Sequence, residues 1–98
     1  MKTRFICLRN KGPAWDHGKL RREQSGWPEH AAFMDQLTAE GFVVLGGPLG
    51  EGDGEDALLV IDAPDEESIH ERLKDDPWQQ SGMLQTRSTQ RWTMFLEG

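Results

Sequence analysis

Residues 41–63 read GFVVLGGPLGEGDGEDALLVIDA, two short apolar runs joined by a glycine-rich acidic turn. Within each run the apolar residues are consecutive rather than alternate. In an extended strand Phe42 and Val44 then face one side while Val43 and Leu45 face the other, and Leu59 and Ile61 oppose Leu58 and Val60 in the same way. Both faces of the resulting sheet need cover. A chain of 98 residues supplies about two helices, enough for one face. The other face therefore calls for a partner subunit.

Upstream, residues 3–9 set Arg4, Ile6 and Leu8 against Phe5, Cys7 and Arg9 and read as a first strand. Residues 10–27 have no sustained period, carry Gly12, Pro13, Gly18 and Gly26, and form a loop longer than the usual ~4–6 residues. Loops of that length act as lids, binding loops or arms. Pro28 suits the first turn of a helix, and His30, Phe33, Met34 and Leu37 then fall on one stripe until Gly41 stops it. Residues 42–46 and 57–61 follow as an antiparallel hairpin with a wide loop. Pro64, Asp65, Glu66 and Glu67 start a second helix whose inner stripe carries Ile69 and Leu73 and which stops near Asp76, ahead of Pro77. Residues 84–94 read as a last strand with Trp92 as its apolar anchor. The order is that of an α+β, ferredoxin-like βαββαβ domain spanning residues 1–98: a four-stranded antiparallel sheet with two helices on one face.

Composition narrows the function classes. With 17 acidic and 11 basic residues the formal charge is −6, which disfavours nucleic acid and anionic lipid as partners. The densest basic cluster, Lys19, Arg21 and Arg22, is short and lies in the long loop. The single Cys7 excludes an internal disulfide and sits in an apolar segment as a packing thiol. MKTRFICLRNKG has no apolar region of signal-peptide length, and no segment approaches the ~20 apolar residues of a membrane span. A cytoplasmic protein is expected.

His30 and Asp76 form the leading pair. His30 opens the inner stripe of the first helix, and Asp76, three residues after Leu73, continues that of the second. If they meet, the carboxylate orients the imidazole and raises its basicity, freeing the other ring nitrogen for proton transfer. A structural histidine beside a helix-terminal Asp hydrogen bond fits the same spacing. Gly46, Gly47 and Pro48 shape a wall that lets backbone approach a ligand or a second subunit. Trp15, Arg21 and Arg22, with Trp27, offer stacking and charge for an aromatic or anionic ligand, and the tryptophans serve equally to pack the loop. His17 and His70 read as exposed, and no spacing recommends a metal site or a cofactor loop.

The succession of WPEHAAFMDQL, GFVVLGGPL, a small-residue acidic turn, ALLVIDAPDEES and DDPW ahead of a final strand resembles the YCII-related proteins, over nearly the whole chain from Phe5 to Trp92. That resemblance implies a dimeric α+β barrel, in which the sheets of a homodimer pack face to face and each subunit's cleft holds a His and an Asp proposed as catalytic. By motif match these fall on His30 and Asp76. Elimination or isomerisation of a small organic molecule is the chemistry such a cofactor-independent His–Asp site can support; the family's members include a dehydrochlorinase acting on a chlorinated hydroxymuconate, and most have no assigned reaction. Cofactor-free oxygenases of the wider superfamily mark another reaction class, and a metabolite-binding or regulatory module is the non-catalytic alternative. The segment GPAWDHGKLRREQSGW departs from the family pattern and reshapes the cleft entrance, so no member's substrate transfers directly.

Overall fold

The computed structural model describes residues 2–51 and 56–98, with backbone alone for residues 2 and 3. Residues 52–55, the tip of the central acidic turn read above, lie outside them. Among the described residues the chain runs β1 (Lys2–Lys11), a 3-10 turn (Arg21–Glu23), α1 (Trp27–Ala39), β2 (Val43–Pro48), β3 (Asp56–Ile61), α2 (Glu66–Leu73), α3 (Pro77–Ser81) and β4 (Leu84–Met94). The four strands form one antiparallel sheet in the order β2-β3-β1-β4. This is the expected ferredoxin-like α+β arrangement, with one helix more than the sequence pattern indicated.

The extra helix is α3. Helix α2 ends at Leu73, and Asp76 does not extend its inner stripe. Asp76 is instead the N-cap of α3, accepting a hydrogen bond from the Trp78 amide at 2.9 Å. Pro77 both stops one helix and occupies the first turn of the next. At the start of α2, Asp65 caps in the same way, accepting from the Ser68 amide.

One sheet face carries Phe5, Cys7, Leu59 and Ile61, which pack against Leu37 of α1 and Ile69 and Leu73 of α2. Cys7 is fully buried, and burial pushes its thiol up in pKa. The opposite face carries Ile6 beside Val60 and Leu8 beside Leu58.

Two β-bulges revise the expected alternation. In β2 the register slips between Val43, which pairs with Ile61, and Leu45, which pairs with Val60, so Val43 is buried while Val44 and Leu45 are exposed; Phe42, ahead of the strand, is buried as well. Between β1 and β4, Leu8 pairs with Ser88 but Arg9 pairs with Thr86. The extra residue, Arg87, exchanges the two faces of β4 beyond it. Trp92 consequently shares the outer face, opposite Arg4, and is 40% exposed; the buried anchor of β4 is Leu84.

The long loop is tied down. Gly12 and Ala14 donate backbone hydrogen bonds to Met83 and Gly82, and a Cβ at Gly12 would run into the Gly82 carbonyl oxygen. The buried Gln24 side chain accepts from the Asp16 amide and donates to the carbonyls of Asp16 and Lys19. Trp15 packs with Trp78, Met83 and Leu84 in a second small core. Among the described residues no helix is long and apolar enough to cross a membrane.

Candidate active site

The left-handed Gly26 opens α1, and the His30 amide closes its first turn on the Gly26 carbonyl at 3.0 Å. The His30 side chain is thereby turned down between α1 and α3. There its Nδ1 lies 2.8 Å from Asp76 Oδ1. A carboxylate oxygen can only accept, so Nδ1 is the donor, and in the neutral ring Nε2 is the nitrogen with the lone pair. His30 lines a cavity of about 490 Å³ bounded by α1, β2 and β3.

Asp76 is completely buried and fully engaged. Oδ1 also accepts the Trp78 amide, and Oδ2 accepts from Arg9 Nη1 at 2.8 Å. Burial by itself pushes this carboxyl up. The hydrogen bond from His30, the nearby charges of Arg9 and His30, and the hydrogen bond from Arg9 outweigh burial and hold its pKa below the ordinary carboxylate value. The folded value thus lies below the unfolded one, so the stability it confers is present above about pH 5 and is lost as pH falls through the folded pKa. Urea unfolding of the wild type across pH 2–6 is expected to show this acid limb, flattened in Asp76→Asn. Parallel limbs in the two proteins would assign the acid loss to other carboxylates.

Arg9, Trp78 and Gln79 were not singled out from the sequence. Arg9 lies on the same face of β1 as Phe5 and Cys7, is 2% exposed, and reaches Gln79 Oε1 through Nη2 at 3.1 Å. Its strand parity was the available signal. Trp78 stacks flat on His30, with ring centroids 4.1 Å apart and planes 8° apart, and its Nε1 donates to the Ser25 carbonyl. Trp27 lies against both rings, its centroid 6.0 Å from His30 and 5.6 Å from Trp78. The imidazole is therefore held by a carboxylate at one edge and an aromatic face beneath it, a geometry suited to a single rotamer and tautomer.

Of the other expected residues, Gly46, Gly47, Pro48 and Arg21 line the same cavity, with Met34, Val43 and Leu59 as its apolar wall. A Cβ at Gly46 would press on the Leu59 side chain, whereas Gly47 has open space. Trp15 is not brought to the cavity: it lies edge-on to Trp78 in the second core, with Lys11 and Arg21 over its ring. Arg22 is exposed, lies over Trp27 and does not line the cavity. His17 is exposed, and His70 is a surface residue 3.3 Å from Glu66 on α2. Among the described residues no three His, Cys, Asp or Glu side chains converge as a metal site.

The YCII-related domain model matches residues 3–93. The chain belongs to the YCII-related family. A solved YCII-like fold, the 5-chloro-2-hydroxyhydroquinone dehydrochlorinase TftG from Burkholderia phenoliruptrix AC1100 in complex with 2,5-dihydroxybenzoquinone, resembles this YCII-related protein with a TM-score of 0.59. Identity is 22%, and 92% of each chain is covered, which supports a common fold. The substrate named for TftG is a chlorinated hydroxyhydroquinone, where the family resemblance pointed to a chlorinated hydroxymuconate. No curated protein matches the chain.

Proposed function

We propose that this YCII-related protein is a small, cofactor-independent enzyme that uses His30 and Asp76 for acid/base chemistry, an elimination or isomerisation, on a small organic molecule. The observation that carries the reading is a buried His30–Asp76 hydrogen bond of 2.8 Å at the wall of a cavity of about 490 Å³. His30 Nε2 takes a proton from the substrate, and Asp76 compensates the imidazolium that forms. In an elimination the electron pair of the broken bond to hydrogen forms the new double bond as the leaving group departs with its own pair. In an isomerisation the same imidazolium returns the proton elsewhere.

The apolar wall and neighbouring Trp27 favour a planar, partly apolar substrate, with Arg21 able to meet an oxyanion. TftG supplies the first compounds to try. The wild-type protein is expected to release chloride from 5-chloro-2-hydroxyhydroquinone or a close chlorinated hydroxyquinol, followed by ion chromatography and ultraviolet absorbance. Binding of such compounds without any turnover would favour a metabolite-binding module, and neither binding nor turnover would remove hydroxyquinols as the substrate class.

The working unit proposed here is a homodimer joined through the outer sheet faces. Its support is the apolar character of that face, where Ile6, Leu8, Leu58 and Val60 adjoin with no helix covering them among the described residues.

A further inference from the structure

We propose that Arg9 is a positioning residue for the acid/base pair: it keeps Asp76 turned toward His30 and limits how firmly the pair retains a proton. The inference rests on the reading of His30 as the acid/base group.

The two oxygens of Asp76 are divided between different duties. Oδ1 receives His30 Nδ1 and the Trp78 amide, and Oδ2 receives Arg9 Nη1. Arg9 Nη2 is fixed by Gln79 Oε1, which also lies 3.4 Å from Thr86 Oγ1. Gln79 belongs to the helix that Asp76 caps, so one short helix fixes both partners of the ion pair. With one oxygen anchored to a planar guanidinium, the carboxylate plane cannot rotate away from the imidazole.

Charge counting gives the second half of the role. An isolated buried Asp–His pair carries −1 with neutral imidazole and zero when His30 is protonated, so burial favours the imidazolium. Such a histidine gives up its proton reluctantly, so near neutral pH little of it is free to act as a base. With Arg9 present, the triad is neutral before protonation and carries +1 after it. Burial then opposes protonation, and His30 returns a proton readily. The groups facing His30 are Arg9 from β1 and Asp76 ahead of α3, with Arg21 from the 3-10 turn and Asp35 from α1 lining the cavity with opposite charges. The cavity-lining residues of β2 and β3 add no ionisable side chain.

The test is an NMR titration of the His30 ring in the wild type, Arg9→Gln, Arg9→Lys and Asp76→Asn, with the exposed His17 and His70 as internal references. Arg9→Gln is expected to raise the His30 midpoint by about one pH unit, with the references unmoved. Arg9→Lys is expected to bring most of that shift back, which a purely structural role would not do. Should Arg9→Gln fail to fold, Gln79→Leu frees the same guanidinium from its other anchor and is expected to move the midpoint in the same direction. A midpoint unmoved in the folded variant, while Asp76→Asn shifts it, overturns the role of Arg9 and leaves the His–Asp reading standing. A midpoint indifferent to Asp76→Asn as well sinks both.

Discussion

Replacing His30 by Ala is expected to lower kcat by roughly 10²–10⁴-fold while leaving the far-ultraviolet circular dichroism unchanged. The fold should survive because the partners of the lost ring keep partners of their own. Asp76 retains Arg9 Nη1 and the Trp78 amide, and Trp78 retains Trp15, Trp27 and its hydrogen bond to the Ser25 carbonyl. Added imidazole is expected to restore part of the rate, since the space left by the ring opens on the cavity. Asp76→Asn acts differently. The Asn oxygen is held by the Arg9 guanidinium at the Oδ2 position, so the NH₂ takes the Oδ1 position: the cap on the Trp78 amide is lost, His30 Nδ1 becomes the acceptor and the ring proton moves to Nε2. The nitrogen at the cavity then lacks its lone pair, and kcat is expected to fall by a similar factor, as it does for a catalytic His locked in the wrong tautomer. Steady-state kinetics on the substrate found by chloride release decides the matter. Wild-type turnover in both variants would falsify the acid/base assignment.

The second large effect concerns assembly. The wild-type chain is expected to sediment as a dimer at micromolar concentration, and Leu58→Glu as a monomer. Leu58 lies on β3 directly across from Leu8, near the middle of the face that no helix covers among the described residues. Leu45 and Trp92, on the strands at either edge of that sheet, are 67% and 40% exposed. A stable interface hides about 800 Å² on each partner, and a carboxylate buried without a partner at its centre costs several kcal/mol. In a lone subunit the same carboxylate is hydrated, so the monomer should remain folded. A wild-type chain that sediments as a monomer at these concentrations would leave the outer face exposed and remove the barrel from the proposal.

Much of the architecture was legible because it is written locally. Consecutive apolar residues marked β2 and β3, Pro28 and the stripe from His30 to Leu37 marked α1, and Gly41 marked its end. Asp76 was legible only in part. Its inward aim was read from the stripe of α2, whereas it is set by the cap of α3, a helix hidden because proline after Asp is a stop signal and a start signal alike. Trp15 and Arg22 carried the right chemistry for a ligand, but the packing of the loop on Trp78 and Trp27 took them elsewhere.

The sequence by itself determined the order of the four strands and the two longer helices, the helix face on which His30 lies and the two-sided apolar sheet, since each depends on periodicity within a few residues. Only the tertiary structure decided which side Trp92 occupies, because a one-residue bulge at Arg87 exchanges the faces of a strand and no periodicity announces where the slip will fall. It alone also joined Arg9 to Asp76 across 67 positions and His30 to Asp76 across 46. Such pairings follow from the register of β1 and the docking of α3 beside α1, so the charge balance of the site exists only once the chain has closed.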